Sequence, residues 1–325
     1  MSDSKNSRRD FIKLGVLAGG TLIAGGVAKS AFSGSADEKS GEKVKMLTQD
    51  GKLVEVDKSS IQPVGRYISP KESRQGIPNR KFVMVIDLAR CKNARKCIDA
   101  CQAGHHLPSD HEWMKVYLMQ DSAKSFPYWF PRPCFHCDNP MCASVCPVGA
   151  TYKRTDGIVL IDSDRCIGCK FCITGCPYSV RVFNWNDPEI SEADKKVKYS
   201  PETGIPQVEG TVGKCIFCAD NLRKGELPRC VTACPMGVIF FGDIIEDTVT
   251  NGTETVLFSQ IIKERTAFRY LEFLGTEPSV YYLPPADRLF PFERGLEDLD
   301  EKTLARYTNT TYMKKIKKDK LKHGK

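Results

Sequence analysis

Fifteen cysteines stand in this 325-residue chain, all of them between positions 91 and 234, and their spacing is that of metal ligands. The clearest run is Cys166-Ile167-Gly168-Cys169-Lys170-Phe171-Cys172-Ile173-Thr174-Gly175-Cys176-Pro177, a C-x2-C-x2-C-x3-C-P pattern. Three thiolates so close on one tight loop wrap three irons of a cubane iron–sulfur cluster, and the fourth points toward a neighbouring cluster. Zinc sites use four ligands in two separated pairs and have no reason for this rhythm. Upstream, Cys134, Cys137, Cys142 and Cys146-Pro147 repeat the pattern with two residues added between the second and third ligands. An odd number of cysteines at this spacing also argues against a disulfide framework.

Between these groups two short strand-like runs flank Thr155-Asp156-Gly157, a hairpin signal. Group, hairpin, group resembles a two-cluster bacterial ferredoxin. Its cross-ligation rule assigns Cys134, Cys137, Cys142 and Cys176 to one cluster and Cys146, Cys166, Cys169 and Cys172 to the other. The outer groups are Cys91, Cys97 and Cys101 on one side, and Cys215, Cys218, Cys230 and Cys234 on the other. They pair as a second unit wrapped around the first. The same rule gives Cys101, Cys215, Cys218 and Cys230 to one cluster and leaves Cys91, Cys97 and Cys234 for the last. Ala94 occupies the place of the missing ligand and cannot bind iron. A [3Fe-4S] cluster, a four-iron cluster completed by water or a side chain, and loss of the cluster are all open at this site. His105 and His106 follow Cys101, but a His there is more often a packing or surface residue than a ligand.

The expected fold is therefore α+β: two interleaved ferredoxin-like units, each built for two [4Fe-4S] clusters, with loop-rich insertions and a C-terminal extension. The double iron–sulfur domain covers 81–245, with the inner unit at 134–177 and outer groups at 91–101 and 215–235. Residues 82–87 and 237–244 read as strands, and apolar periodicity over 254–273 predicts one amphipathic helix. The charged, Pro/Gly-bearing stretch 187–214 reads as a loop. Residues 281–285 read as an extended segment laid over the surface, and the aromatic run 126–131 as core packing or cluster insulation. N-terminal (37–80) and C-terminal (246–325) extensions flank the domain.

The ends carry the charge. Of the net +8, residues 314–325 hold +6 and residues 1–29 hold +3, which leaves the remainder at −1 and excludes a basic nucleic-acid groove. Residues 1–36 resemble a twin-arginine export signal, with Ser7-Arg8-Arg9-Asp10-Phe11-Ile12-Lys13 before a Gly/Ala-rich apolar stretch. That stretch, 14–27, is short of the roughly 20 apolar residues of a spanning helix. The route carries folded proteins, so the expectation is a protein exported with its clusters to the periplasm or the outer face of the membrane. No C-x-x-C-H haem motif occurs, and no Ser/His/Asp or paired-carboxylate constellation indicates a catalytic site of its own.

Four groups in this order, with C-x2-C-x4-C-x3-C-P second and C-x2-C-x11-C-x3-C-P fourth, resemble the iron–sulfur subunits of the dimethyl sulfoxide reductase type over roughly residues 80–285. The resemblance implies an electron-transfer subunit of a membrane-associated respiratory complex. Its partners would be an integral quinone-reactive subunit and a molybdopterin or haem-bearing oxidoreductase subunit. Its cofactors would be three [4Fe-4S] clusters and the altered fourth. A free exported polyferredoxin and a redox-sensing or scaffold protein are the alternatives. Lys170, Arg95 and Lys96 are candidate cations to offset cluster charge.

Overall fold

The computed structural model describes residues 43–47, 53–57, 67–122, 125–186 and 196–286. The twin-arginine segment, residues 187–195 of the charged insertion and the basic tail lie outside them. Strands β1 (Lys43–Leu47) and β2 (Leu53–Asp57) form an antiparallel hairpin. Helix α1 (Pro70–Ser73) starts at Ser69, whose hydroxyl accepts from the Glu72 amide while the Glu72 carboxylate accepts from the Ser69 amide.

Strand β3 (Phe82–Asp87) follows, buried at all six positions. Helix α2 (Lys96–Gly104), strands β4 (Lys115–Met119) and β5 (Tyr128–Arg132), and helix α3 (Met141–Ser144) lead to the hairpin β6 (Thr151–Lys153) and β7 (Val159–Ile161). After helix α4 (Phe171–Thr174), strands β8 (Val182–Phe183) and β9 (Val212–Gly213) pair across the insertion. Helices α5 (Ala219–Arg223) and α6 (Arg229–Thr232) precede β10 (Ile239–Asp243), β11 (Thr248–Thr250) and β12 (Thr255–Leu257). Helix α7 (Phe258–Glu264) and strand β13 (Val280–Leu283) close the described chain.

A five-stranded sheet in the order β12-β11-β10-β3-β13 organises the molecule. Side chains alternate across a strand, so β3 divides two cores. Phe82, Met84 and Ile86 join the large core that holds the cysteine loops, while Val83 and Val85 pack with Phe240, Phe258 and Ile261 under α7. Both faces are covered, which is why β3 reads as a continuous apolar run. At Gly242, paired with Val249, an added Cβ would lie 1.9 Å from the Thr248 carbonyl oxygen, so the β10–β11 pairing demands glycine.

Three expectations change. Residues 281–285 do not lie over the surface: β13 runs parallel to β3, with Tyr282 and Leu283 fully buried. The helix of 254–273 shrinks to α7, because Thr266 turns left-handed at φ 45° and Phe268 then exchanges backbone hydrogen bonds with Tyr282. The described part of the insertion is a loop as far as β9, yet not a solvated one. Its Glu202 is buried against Arg154 and Arg223, at 2.7 and 2.6 Å, because two cations supply the charge that burial would otherwise leave unpaired. The aromatic run packs from Tyr128 onward: Trp129 and Phe130 are core residues of β5 and Phe130 stacks on Tyr282, whereas Phe126 is exposed.

Candidate metal centres

The fifteen cysteines are all free thiols and lie in four neighbourhoods. Site 1 contains Cys91, Cys97 and Cys234: burial pushes Cys91 and Cys97 up to about 12, and Cys234 beside both adds to the rise. Site 2 is a cavity lined by Cys101, Cys215, Cys218 and Cys230, closed by Met84, His105 and Met114. Site 3 gathers Cys134, Cys137, Cys142 and Cys176; burial and then the neighbouring thiols push Cys137 up to about 12. Site 4 is a cavity lined by Cys146, Cys166, Cys169 and Cys172.

One local backbone form recurs. The residue before the second ligand position is left-handed in every group: Asn93 (φ 57°), His136 (43°), Gly168 (68°) and Phe217 (55°). Sites 1 and 4 share a second left-handed residue, Arg95 (58°) and Lys170 (64°), each the N-cap of the helix that follows. Ala94 therefore occupies the backbone place of Cys169, and both positions are exposed. At Gly168 no other residue fits, since its Cβ would lie 2.3 Å from the Gly210 carbonyl oxygen.

The cysteines before prolines also share a turn. The amides of Gly149, Ser179 and Gly237 donate to the carbonyls of Cys146, Cys176 and Cys234 at 3.3, 3.4 and 3.3 Å. The turn aims further amides at sulfur: Thr151 N–H reaches Cys146 Sγ at 3.5 Å and Val238 N–H reaches Cys234 Sγ at 3.4 Å. Burial raises the Cys146 pKa, but the amides of Thr151, Val148, Ala150 and Gly149 outweigh it and hold the thiol below its ordinary value. Such loops suit an anionic sulfur cage.

Side chains from distant parts of the chain complete the surroundings. His105 Nε2 lies 3.3 Å from Cys218 Sγ, so His105 belongs to site 2 and does not replace the missing ligand of site 1. The Arg229 guanidinium also hydrogen-bonds Cys218, held by a two-pronged pair with Asp220 at 3.1 and 2.6 Å. Thr276 hydrogen-bonds Cys137 and the hydroxyl of Tyr178. Arg181 hydrogen-bonds Cys172. The cations singled out from the sequence take other partners: Lys170 lies over the Trp185 ring at 3.5 Å, Arg95 pairs with Glu112 at 2.8 Å, and Lys96 faces Asp99 at 3.7 Å. Sequence reasoning took His105 for a packing or surface residue and missed Thr276, Arg181 and Arg229; the sulfur partners of His105 and Thr276 are remote in sequence. Lys214 and Arg229 each adjoin a cysteine, Cys215 and Cys230, a positional signal that sequence reasoning did not use.

The sites adjoin in numerical order. Cys97 of site 1 acts on Cys101 and Cys230 of site 2. Cys134 of site 3 is the thiol that acts most on Cys215 of site 2. Arg181 faces Cys142 of site 3 and Cys172 of site 4. Buried thiols that repel one another, amides turned to sulfur and four-thiol cavities are the donor chemistry that a cubane cluster requires.

Comparison with known proteins agrees with this chemistry. A 4Fe-4S dicluster domain model matches residues 125–207. A selenate reductase subunit of Mesobacillus selenatarsenatis is 37% identical over 304 residues, covering 86% of this chain and 98% of the relative. The iron–sulfur cluster-binding subunit of menaquinone reductase from Nitratidesulfovibrio vulgaris is 37% identical, covering 62% of this chain and 88% of its own. A tetrathionate reductase subunit of Salmonella typhimurium is 34% identical, covering 69% and 82%.

Proposed function

The chain belongs to the iron–sulfur subunits of dimethyl sulfoxide reductase-type complexes, and from that premise we propose that it relays single electrons between a quinone-reactive membrane subunit and a catalytic or haem-bearing partner. The observation that carries this reading is the row of four adjoining thiol sites, open to the surface at Ala94 on one end and at Cys169 on the other. Clusters bound there would each take up and release one electron. The protein's part is to fix their ligands, exclude water and set their potentials. Sites 2, 3 and 4 supply four thiolates each for [4Fe-4S], and site 1 supplies three for [3Fe-4S].

Two interleaved ferredoxin-like units account for this arrangement. The packing of α3 on α4 supports an inner unit, and the packing of α2 on α6, with β3 paired to β10, supports an outer one. Around Cys169 the side chains of Ile167, Phe171 and Trp185 stand exposed, an apolar rim suited to a redox partner. Among the described residues no helix is long and apolar enough to cross a membrane. The Arg8-Arg9 motif supports export in the folded state to the periplasmic side.

A mild-detergent pull-down of the tagged chain from native membranes, with partners identified by mass spectrometry and iron and haem quantified, tests this reading. Co-purification of an integral quinone-reactive subunit with a molybdenum or haem protein is the expected result. Recovery of an iron-bearing chain alone would favour a free polyferredoxin.

A further inference from the structure

Four cations are buried among the described residues; Arg154 and Arg95 meet carboxylates, while Lys214 at 1% exposure and Arg181 at 5% do not. A charge taken out of water costs several kcal/mol unless an anion meets it. The Lys214 ammonium donates to the backbone carbonyls of Val159 and Cys215, and Arg181 donates to Thr151 Oγ1 at 3.3 Å. Among the described residues neither faces a carboxylate; Cys134 and Cys142 lie near both, and the two cations also lie near each other.

Their positions are specific. Lys214 spans two sites: it holds the carbonyl of Cys215 in site 2, and it holds Val159, whose amide donates at 3.0 Å to His136 between the site 3 ligands Cys134 and Cys137. Its sulfur neighbours are Cys134 and Cys142 on one side and Cys215 on the other. Arg181 spans the next junction. It bonds Thr151, whose amide donates to Cys146 of site 4, and it faces Cys172 of site 4 together with Cys142, Cys134 and Cys176 of site 3.

We propose that Lys214 and Arg181 are counter-ions shared between neighbouring clusters, Lys214 between sites 2 and 3 and Arg181 between sites 3 and 4, each raising the reduction potentials of two clusters together. This rests on the electron-relay reading. A four-thiolate [4Fe-4S] site carries about −2 and gains one more negative charge on reduction, so a fixed cation in a low-dielectric interior favours the reduced form. A cation placed between two sites moves both potentials in the same direction. Adjacent potentials then stay in step, and an electron crossing the junction meets no step that the cation itself created.

The test uses the purified full chain with its clusters, measuring iron content and following each cluster by a redox titration monitored by electron paramagnetic resonance. Lys214→Gln keeps a hydrogen-bond donor and removes the charge; it should shift sites 2 and 3 to more negative potential and leave sites 1 and 4 in place. Arg181→Gln should shift sites 3 and 4 and leave sites 1 and 2. Lys214→Arg and Arg181→Lys should stay near the parent. A shift confined to one site, or none, at full iron content would overturn the proposal. If the neutral variants lose clusters, retention by the charge-keeping variants supports the proposal, and loss in those as well overturns it in favour of a purely spatial role. A parent chain without iron would instead sink the relay reading, and this inference with it.

Discussion

His105 Nε2 lies 3.3 Å from Cys218 Sγ while its Nδ1 lies 3.1 Å from the Thr203 carbonyl oxygen, so one buried ring bridges a cluster ligand and the charged insertion. The carbonyl and a ligating thiolate both accept, so the ring serves both at once only when each nitrogen carries a proton; burial and then the neighbouring Arg229 act against that form and push the His105 pKa down to about 4. Its contact with Trp113, at 5.0 Å between centroids, fixes the ring further. A hydrogen bond to a ligand sulfur stabilises the reduced cluster and raises its potential.

Replacing His105 by Leu removes the donor and nearly keeps the volume. The potential of site 2 should become more negative, and stability should fall by about 1–3 kcal/mol because the insertion's carbonyl loses its partner in the interior. Redox titration and urea unfolding measure the two effects. His105→Gln, which still donates, should recover part of the potential; an equal shift in both variants would mean that packing alone acts there.

Ala94 stands at the backbone place of Cys169 and is exposed, so a sulfur added there has room to reach the corner of site 1. Oxidised parent protein should show the electron paramagnetic resonance signal of a three-iron centre. Ala94→Cys should abolish that signal and raise the iron content by about one per chain. A parent with three four-iron clusters and no further signal would show that site 1 stays empty.

Gly168 and Gly149 are both left-handed, at 68° and 60°, but only Gly168 meets a backbone carbonyl where its Cβ would be. Gly149→Ala should cost about 1 kcal/mol for the conformation alone. Gly168→Ala must also displace the segment at Gly210, and it should lose the site 4 cluster, about four irons per chain. Equal iron content in the two variants would contradict this difference.

Tyr152 is buried, and its hydroxyl meets Ser73 Oγ at 2.7 Å. Burial pushes its pKa from 10.0 up to about 12. The unfolded phenol thus ionises first as pH rises, so this contribution is intact below pH 10 and is lost between about 10 and 12. Urea midpoints measured across that window should fall by an amount worth about 2–3 kcal/mol of stability. Tyr152→Phe should flatten the fall.

The ligand rhythm was legible in the sequence because it is a local property of the chain: a loop that wraps a cubane needs thiols with two residues between them, whatever surrounds it. The same logic made Ala94 visible as a gap, and the hairpin at Thr155-Asp156-Gly157 and strands β3 and β10 could be read from their patterns. Tertiary structure decided which side chains serve the sulfurs. Lys170 lay beside its cysteines in sequence and turned to Trp185, whereas His105 and Thr276 came to sulfur from elsewhere. Electrostatic influence depends on distance and burial through space; His105 and Cys218 are 113 positions apart and in contact. For the same reason β13 could not be placed beforehand: its Tyr282 and Leu283 become core residues only where β3 offers a free edge to pair with.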